Sequence, residues 1–289
     1  MATLLSFHAH PDDESIGAGG TLALAADAGH RVVLVFATRG ELGEPVPGVL
    51  GDGEQLTLRR TAECYESARA LGVDRVEFLG YTDSGMMGEA TNDAPWCFWQ
   101  ADVDHAARRL AAILEEECPE VVTVYDDNGG YGHPDHIQVH RVGRRACELA
   151  GVATVAQGTI NRDVVAEAMA RAAEFGVEVP AEAAAPEAVA GEASGTAPSG
   201  PPEPGPDFGK PESELTHFVD VTGVLDRKRA SMLAHASQIA PDHFMAAMAP
   251  EAFAFVFGAE WFIVDDDGGG EPPRLFHDLF QPKADRPTR

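Results

Sequence analysis

Two short stretches of the 289-residue chain concentrate side chains that can hold a cation and move protons. The first, His8-Ala9-His10-Pro11-Asp12-Asp13-Glu14, sets two imidazoles beside three carboxylates. Titratable groups packed this densely repel one another and lose hydration unless something neutralises them, and a divalent cation does so directly. A solvated acidic turn before a helix accounts for Glu14 alone, because carboxylates favour a helix N-terminus, but it leaves the clustering unexplained. The second stretch runs from Tyr125 to His136 and again pairs two histidines with several carboxylates. Gly129, Gly130 and Gly132 permit the positive φ values of a tightly folded loop, and Pro134 suits the first turn of a helix. His133 and His136, three residues apart at that helix start, share one side of it. Imidazole plus carboxylate donors with an open coordination position suit catalytic zinc, and ferrous iron, cobalt or nickel fits the same donors.

The elements that must carry these stretches alternate. Leu4 to Phe7 and Arg31 to Ala37 are apolar runs that predict strands, with a helix over Thr21 to Ala28 between them. The alternation continues with a helix over Leu56 to Leu71, a strand over Arg75 to Leu79 and a helix over Ala101 to Glu117. A strand over Val121 to Tyr125, a helix over Ile137 to Leu149 and a strand over Val152 to Ile160 follow. This order predicts an α/β fold: a Rossmann-like, mostly parallel sheet with helices on both faces, plus a smaller C-terminal portion. Both chemical stretches then fall at carboxyl ends of strands, where such sheets bind ligands. The predicted division is a catalytic core over 1–178, a flexible Pro/Ala/Glu-rich insertion over 179–212, and a C-terminal portion over 213–289 that completes the pocket. Within that portion His217 to Val221 reads as strand, Val224 to Gln238 as helix and Phe253 to Val264 as an apolar stretch, with a loose tail beyond Asp265.

Composition removes several classes of function. A net charge of −26 and a pI near 4.6 oppose binding to a phosphate backbone, so nucleic acid is not an expected partner. No run approaches a membrane span and the N-terminus lacks a secretory pattern, which predicts a cytoplasmic protein without a membrane partner. The four cysteines form no C-x-x-C pair, and most read as small buried hydrophobes. Gly17-Ala18-Gly19-Gly20 lacks the third glycine of a dinucleotide loop, since Leu22 stands there, and reads instead as a close approach of helix to sheet. The oligomeric state is left open.

His10-Pro11-Asp12-Asp13-Glu14 and Gly132-His133-Pro134-Asp135-His136 together resemble the two motifs of the LmbE-like, PIG-L de-N-acetylases, a family that includes the deacetylase and the conjugate amidase of mycothiol metabolism. The resemblance runs from the N-terminus to about Ala150. It implies zinc held by His10, Asp13 and His136 with water completing the site, and Asp12 as general base. It implies His133 as a cationic partner for the oxyanion or the leaving amine, and Tyr131 as a hydrogen-bond donor to the same oxygen. Arg60 and Glu63, and the loop Asp83-Ser84-Gly85-Met86, resemble family segments that contact the sugar, so Arg60, Asp83 and Met86 are implied substrate-binding residues. His235 resembles a C-terminal segment near the pocket. The implied substrate is a small amino-sugar conjugate of the N-acetylglucosaminyl-inositol kind, or alternatively a mycothiol S-conjugate or another acyl amide.

Two other readings compete. A phosphoacceptor receiver domain needs an acceptor aspartate after the third strand and a lysine after the fifth, yet Leu79-Gly80-Tyr81 and Ile160-Asn161-Arg162 stand there, and imidazole is a poor magnesium ligand. A non-catalytic sugar-binding protein on the same fold has no need of an intact Asp12 and both histidines.

Overall fold

The computed structural model describes residues 1–175, 208–264 and 273–286. Strands β1 (Thr3–His8), β2 (Arg31–Phe36), β3 (Arg75–Phe78), β4 (Val121–Tyr125) and β5 (Val155–Thr159) alternate with helices α1 (Asp13–Gly17), α2 (Gly19–Asp27), α3 (Leu56–Leu71), α4 (Val103–Glu117) and α5 (Pro134–Ala150). Then come α6 (Arg162–Ala170), β6 (His217–Asp220), α7 (Leu225–Ala234), α8 (Phe244–Ala247), α9 (Pro250–Phe257), β7 (Ala259–Val264), α10 (Arg274–Leu279) and β8 (Gln281–Pro282). They form one eight-stranded sheet in the order β3-β2-β1-β4-β5-β7-β6-β8. The first five strands are parallel; β7, β6 and β8 extend the same sheet antiparallel, so the C-terminal strands share the sheet of the core.

The strand sequences explain this burial. Along β2, Val32, Leu34 and Phe36 join a core with Leu22 of α2 and Cys64 and Leu71 of α3, while Val33 and Val35 join a second core with Leu110 and Leu114 of α4 and Val139 and Val142 of α5. A strand covered on both faces must be apolar on both, which is why β2 reads as a continuous rather than an alternating run. After β3 the chain crosses to the other side of β1, so strand order reverses between β1 and β4, and a crevice opens beyond their carboxyl ends.

The structure sharpens several sequence expectations. The strand expected from Val152 starts at Val155 because Gly151 caps α5 in a left-handed conformation and the Val152 N–H still bonds the Cys147 carbonyl. The helix expected to Gln238 stops at Ala234, which frees 235–238 to turn back onto α3. The stretch Phe253 to Val264 divides at Gly258 into α9 and β7. The tail expected to be loose is corrected for 273–286: Leu275, Phe276, Leu279 and Phe280 are buried, and Phe280 packs on Phe262 with ring centroids 4.9 Å apart. That amphipathic turn was hidden by its Gly- and Pro-rich flanks. Of the predicted insertion, residues up to 207 lie outside the described residues. At Gly20 a side chain would strike Val221 at 2.3 Å, so the close approach this glycine allows is to the segment after β6, while α2 meets the sheet through residues such as Leu22. No helix among the described residues is long and apolar enough to cross a membrane.

Candidate metal centre and active site

The parallel pairing of β1 with β4 brings the two His/Asp stretches together. Ser6 lies opposite Thr123, and two residues on, the Tyr125 hydroxyl is 2.9 Å from His8 Nδ1. The Tyr125 ring stacks on His136, with centroids 4.5 Å apart and planes 18° from parallel. Gly129, at φ +63°, lies against the first turn of α5, where a side chain would sit 2.4 Å from His136 Cβ. Asp126 shapes this loop by accepting the N–H groups of Asn128 and Gly130 and the Thr159 hydroxyl.

Two imidazoles converge on one carboxylate. His10 Nδ1 is 3.4 Å from Asp13 Oδ2, and His136 Nε2 is 3.3 Å from Asp13 Oδ1. Their tautomers are set from outside. His136 Nδ1 lies 3.2 Å from the Gly129 carbonyl and must donate there, which leaves its Nε2 lone pair toward Asp13. His10 Nε2 lies 3.2 Å from Asp135 Oδ2 and 3.5 Å from Asp83 Oδ1, so in the neutral ring that a bound cation would require, Nε2 carries the hydrogen and Nδ1 is the free lone-pair donor facing the same carboxylate. This is the carboxylate–histidine arrangement that orients metal ligands. Tetrahedral N and O donors at their usual bond lengths stand about 3.3 Å from one another, so the donor set and its spacing fit a divalent cation.

His133 also lies close enough to share an ion with His10 and His136, and Asp83 and Asp135 lie close enough to share one with His10. Hydrogen bonding argues against both alternatives. His133 Nδ1 accepts the Asp135 N–H at 3.1 Å while capping α5, so the neutral ring carries its hydrogen on Nε2, which is a donor. Asp135 is occupied by the Ser84 N–H and hydroxyl, and Asp83 by the Gly85 N–H.

The electrostatics follow from burial and excess negative charge. Against the pull of burial, Asp13, Asp135 and Asp83 raise His10 well above the usual imidazole range. His136 and His10 hold Asp13 well below the carboxylate range although burial opposes them. Burial, with Asp13 adding to it against Arg60, pushes Asp12 up to about 6, which suits a base working near neutrality. His133, expected to be cationic, is pushed down to about 2 by burial and by His10 and His136, which favours its neutral form. Burial also raises the Tyr131 phenol, which keeps its proton.

One cavity of about 440 Å³ contains all nine of the residues expected from sequence: His10, Asp12, Asp13, Arg60, Asp83, Met86, Tyr131, His133 and His136. Tyr131 reaches within 3.4 Å of His136 Nε2. Arg60 is buried against the base: it lies 3.3 Å from Asp12 Oδ2 and donates to the Pro11 and Gly40 carbonyls, while its Nε has no hydrogen-bond partner. Glu63 also turns inward and accepts the Ser237 N–H and hydroxyl. Sequence reasoning gave no role to Asp135 or Tyr125. Asp135 carried a signal, a carboxylate beside a ligand histidine; Tyr125 carried none until the register of β1 and β4 placed it.

Known proteins resemble this chain in both sequence and fold. The family model described as PIG-L, GlcNAc-PI de-N-acetylase, matches residues 5–147. A 1D-myo-inositol 2-acetamido-2-deoxy-alpha-D-glucopyranoside deacetylase of Acidothermus cellulolyticus is 41% identical over 276 residues, covering 91% of this chain and 89% of the relative. Among solved structures, the N,N'-diacetylchitobiose deacetylase of Pyrococcus horikoshii superposes with a TM-score of 0.57 at 19% identity, over 96% of this chain and 85% of that one. A 4-carboxy-2-hydroxymuconate hydratase from Pseudomonas putida KT2440 superposes with a TM-score of 0.55 at 21% identity, over 94% of this chain and 99% of its own, so the fold by itself does not choose the reaction. Sequence identity over nearly the whole chain does choose the lineage: this protein belongs to the PIG-L family of GlcNAc-PI de-N-acetylases.

Proposed function

We propose that this chain is a zinc-dependent de-N-acetylase that hydrolyses the acetamide of a small amino-sugar conjugate, N-acetylglucosaminyl-inositol being the substrate named for its relatives. The observation that carries the reading is Asp13 bridging two imidazoles of fixed tautomer, with Asp12 one residue away. His10 Nδ1, Asp13 and His136 Nε2 would hold the cation. When bound, it supplies Lewis acidity, which makes water more acidic and an amide carbonyl more electrophilic. Asp12 takes the proton of the attacking water and returns it to the departing amine, a shuttle for which an acid of about 6 is suited. His133 Nε2–H and the Tyr131 hydroxyl donate to the oxygen that gains negative charge. Arg60 holds Asp12 from behind and, with Asp83 and Met86, forms the sugar side of the cavity.

The test pairs metal analysis of the purified protein with assays of released acid and amine. Acetate from N-acetylglucosaminyl-inositol, abolished by a chelator and restored by zinc, supports the reading. Release of mercapturate from a mycothiol conjugate without acetate release would replace the substrate, and a metal-loaded protein inert toward both would overturn the reading.

A further inference from the structure

Behind Asp12 stands a second buried carboxylate that the chemistry above does not use. Glu14 is fully buried. Its Oε2 accepts the backbone N–H of Asp12 at 3.0 Å, and its Oε1 lies 2.6 Å from His235 Nε2 and accepts the Ser67 hydroxyl. The Ser67 hydroxyl is 2.7 Å from that of Ser231. Ser231 lies in the last turn of α7 and His235 immediately follows it, 221 residues after Glu14.

The peptide that Glu14 grips is strained. Asp12 has φ +115°, a conformation that L side chains rarely adopt and that persists only where the surroundings over-determine it. On its other side the Asp12 carbonyl accepts the Ser15 N–H and hydroxyl, so both ends of the residue are tied. His235 is also a poor choice for stability alone. Its ring is buried and its Nδ1 has no hydrogen-bond partner, an arrangement that a well-packed apolar side chain would improve on. What the imidazole provides is a partner for Glu14, which would otherwise be an uncompensated anion beside Asp12 and Asp13.

We propose that Glu14 and His235 form a positioning pair that holds the Asp12 peptide in its strained conformation, so that the segment after α7 helps to aim the catalytic base. The proposal rests on the reading of Asp12 as base. A simple latch holding α7 in place is the alternative, and the molecule contains its own control: Lys228, on the same helix, forms a buried ion pair with Glu260 that does not touch Asp12.

The experiment compares zinc-loaded His235→Ala, His235→Gln and Lys228→Met with the unaltered chain. With His235→Ala, kcat should fall about 10- to 100-fold, the penalty of a misplaced catalytic group, while KM and bound zinc stay unchanged. Gln can still donate to Glu14, so His235→Gln should recover kcat to within roughly threefold. Amide hydrogen exchange at Asp12 should accelerate about tenfold or more in His235→Ala. Lys228→Met should lower Tm, leave kcat unchanged and leave Asp12 exchange unchanged relative to neighbouring core amides. A His235→Ala protein with normal kcat, or with normal Asp12 exchange, would overturn the proposal, as would a Lys228→Met protein that showed the same loss of kcat and the same faster Asp12 exchange as His235→Ala. The exchange measurement needs no substrate. Inert unaltered protein with responsive Asp12 exchange would therefore sink the functional reading and keep the pair, whereas equal acetate release by the unaltered chain and by His235→Ala would do the reverse.

Discussion

Two buried charged assemblies lie on either side of α1, and they are satisfied in opposite ways. In the first, Lys228 Nζ donates to Glu260 and to the Ile16 carbonyl, while Glu260 also accepts the Gly20 and Thr21 N–H groups and the Thr21 hydroxyl at the start of α2. One cation meets one anion, and each has further hydrogen bonds. The second assembly gathers Asp12, Asp13, Asp83 and Asp135 around His10, with His133 and His136 beside it and a single guanidinium, that of Arg60, at its edge. Its four carboxylates exceed what Arg60 and a protonated His10 can balance. A buried ion pair that balances internally is a structural joint; an assembly left acid-rich, with lone pairs aimed at a common point, is built to receive something.

The contrast can be broken by substitution, and the largest expected effect is at the ligands. His136→Ala should lose bound metal and bring acetate release down to background, while the thermal midpoint of the metal-free protein changes little; retained zinc at normal stoichiometry would refute the ligand assignment. Asp12→Asn should keep the metal and reduce kcat by about 10²- to 10⁴-fold, the range for a lost general base. Near-normal turnover in that variant would move the base elsewhere. At the structural joint the pattern reverses. Lys228→Met leaves Glu260 buried and unpaired and should destabilise the fold by about 3–5 kcal/mol, or roughly 10 °C in Tm. The double variant Lys228→Met/Glu260→Gln should recover part of that loss in denaturant melts, and turnover per folded molecule should not change in either.

The smallest effect concerns a third, more solvent-exposed assembly, in which Glu117 receives Arg31 at 2.6 Å and Arg75 at 2.7 Å. Arg31 and then Arg75 pull Glu117 down to about 2, against a modest opposing effect of burial. Because the folded value lies below the unfolded one, the stabilisation is complete above the ordinary glutamate range and disappears as pH falls through about 2. After allowance for solvent screening, Glu117→Gln should cost only about 1 kcal/mol at pH 7. The difference from the unaltered chain in urea melts should shrink at pH 3, and a difference that grew on acidification would contradict the assignment.

The candidate donors were legible in the sequence because each motif is local: those of His10-Pro11-Asp12-Asp13-Glu14 lie within five residues, and their density has no simple structural explanation, whereas their division into ligands and base came from the family resemblance. The parallel sheet was legible for a similar reason, since β2 is apolar on both faces and strand and helix patterns alternate strictly up to β5. The antiparallel placement of β7, β6 and β8 was not legible, because no local pattern states which strand an edge will accept.

What the sequence alone determined, then, is a list of donors and the kind of sheet that would carry them. Only the tertiary structure decided which nitrogen of each histidine faces Asp13, because that choice depends on how the loop folds Gly129 back onto His136 and on Asp83 and Asp135, which reach His10 from distant parts of the chain. It likewise decided that burial and two neighbouring imidazoles hold His133 toward its neutral form and that Glu14 meets His235 across 221 residues. Proton position and charge state are set by the total field of neighbours within a few ångströms, and in a folded chain most of those neighbours are distant in sequence.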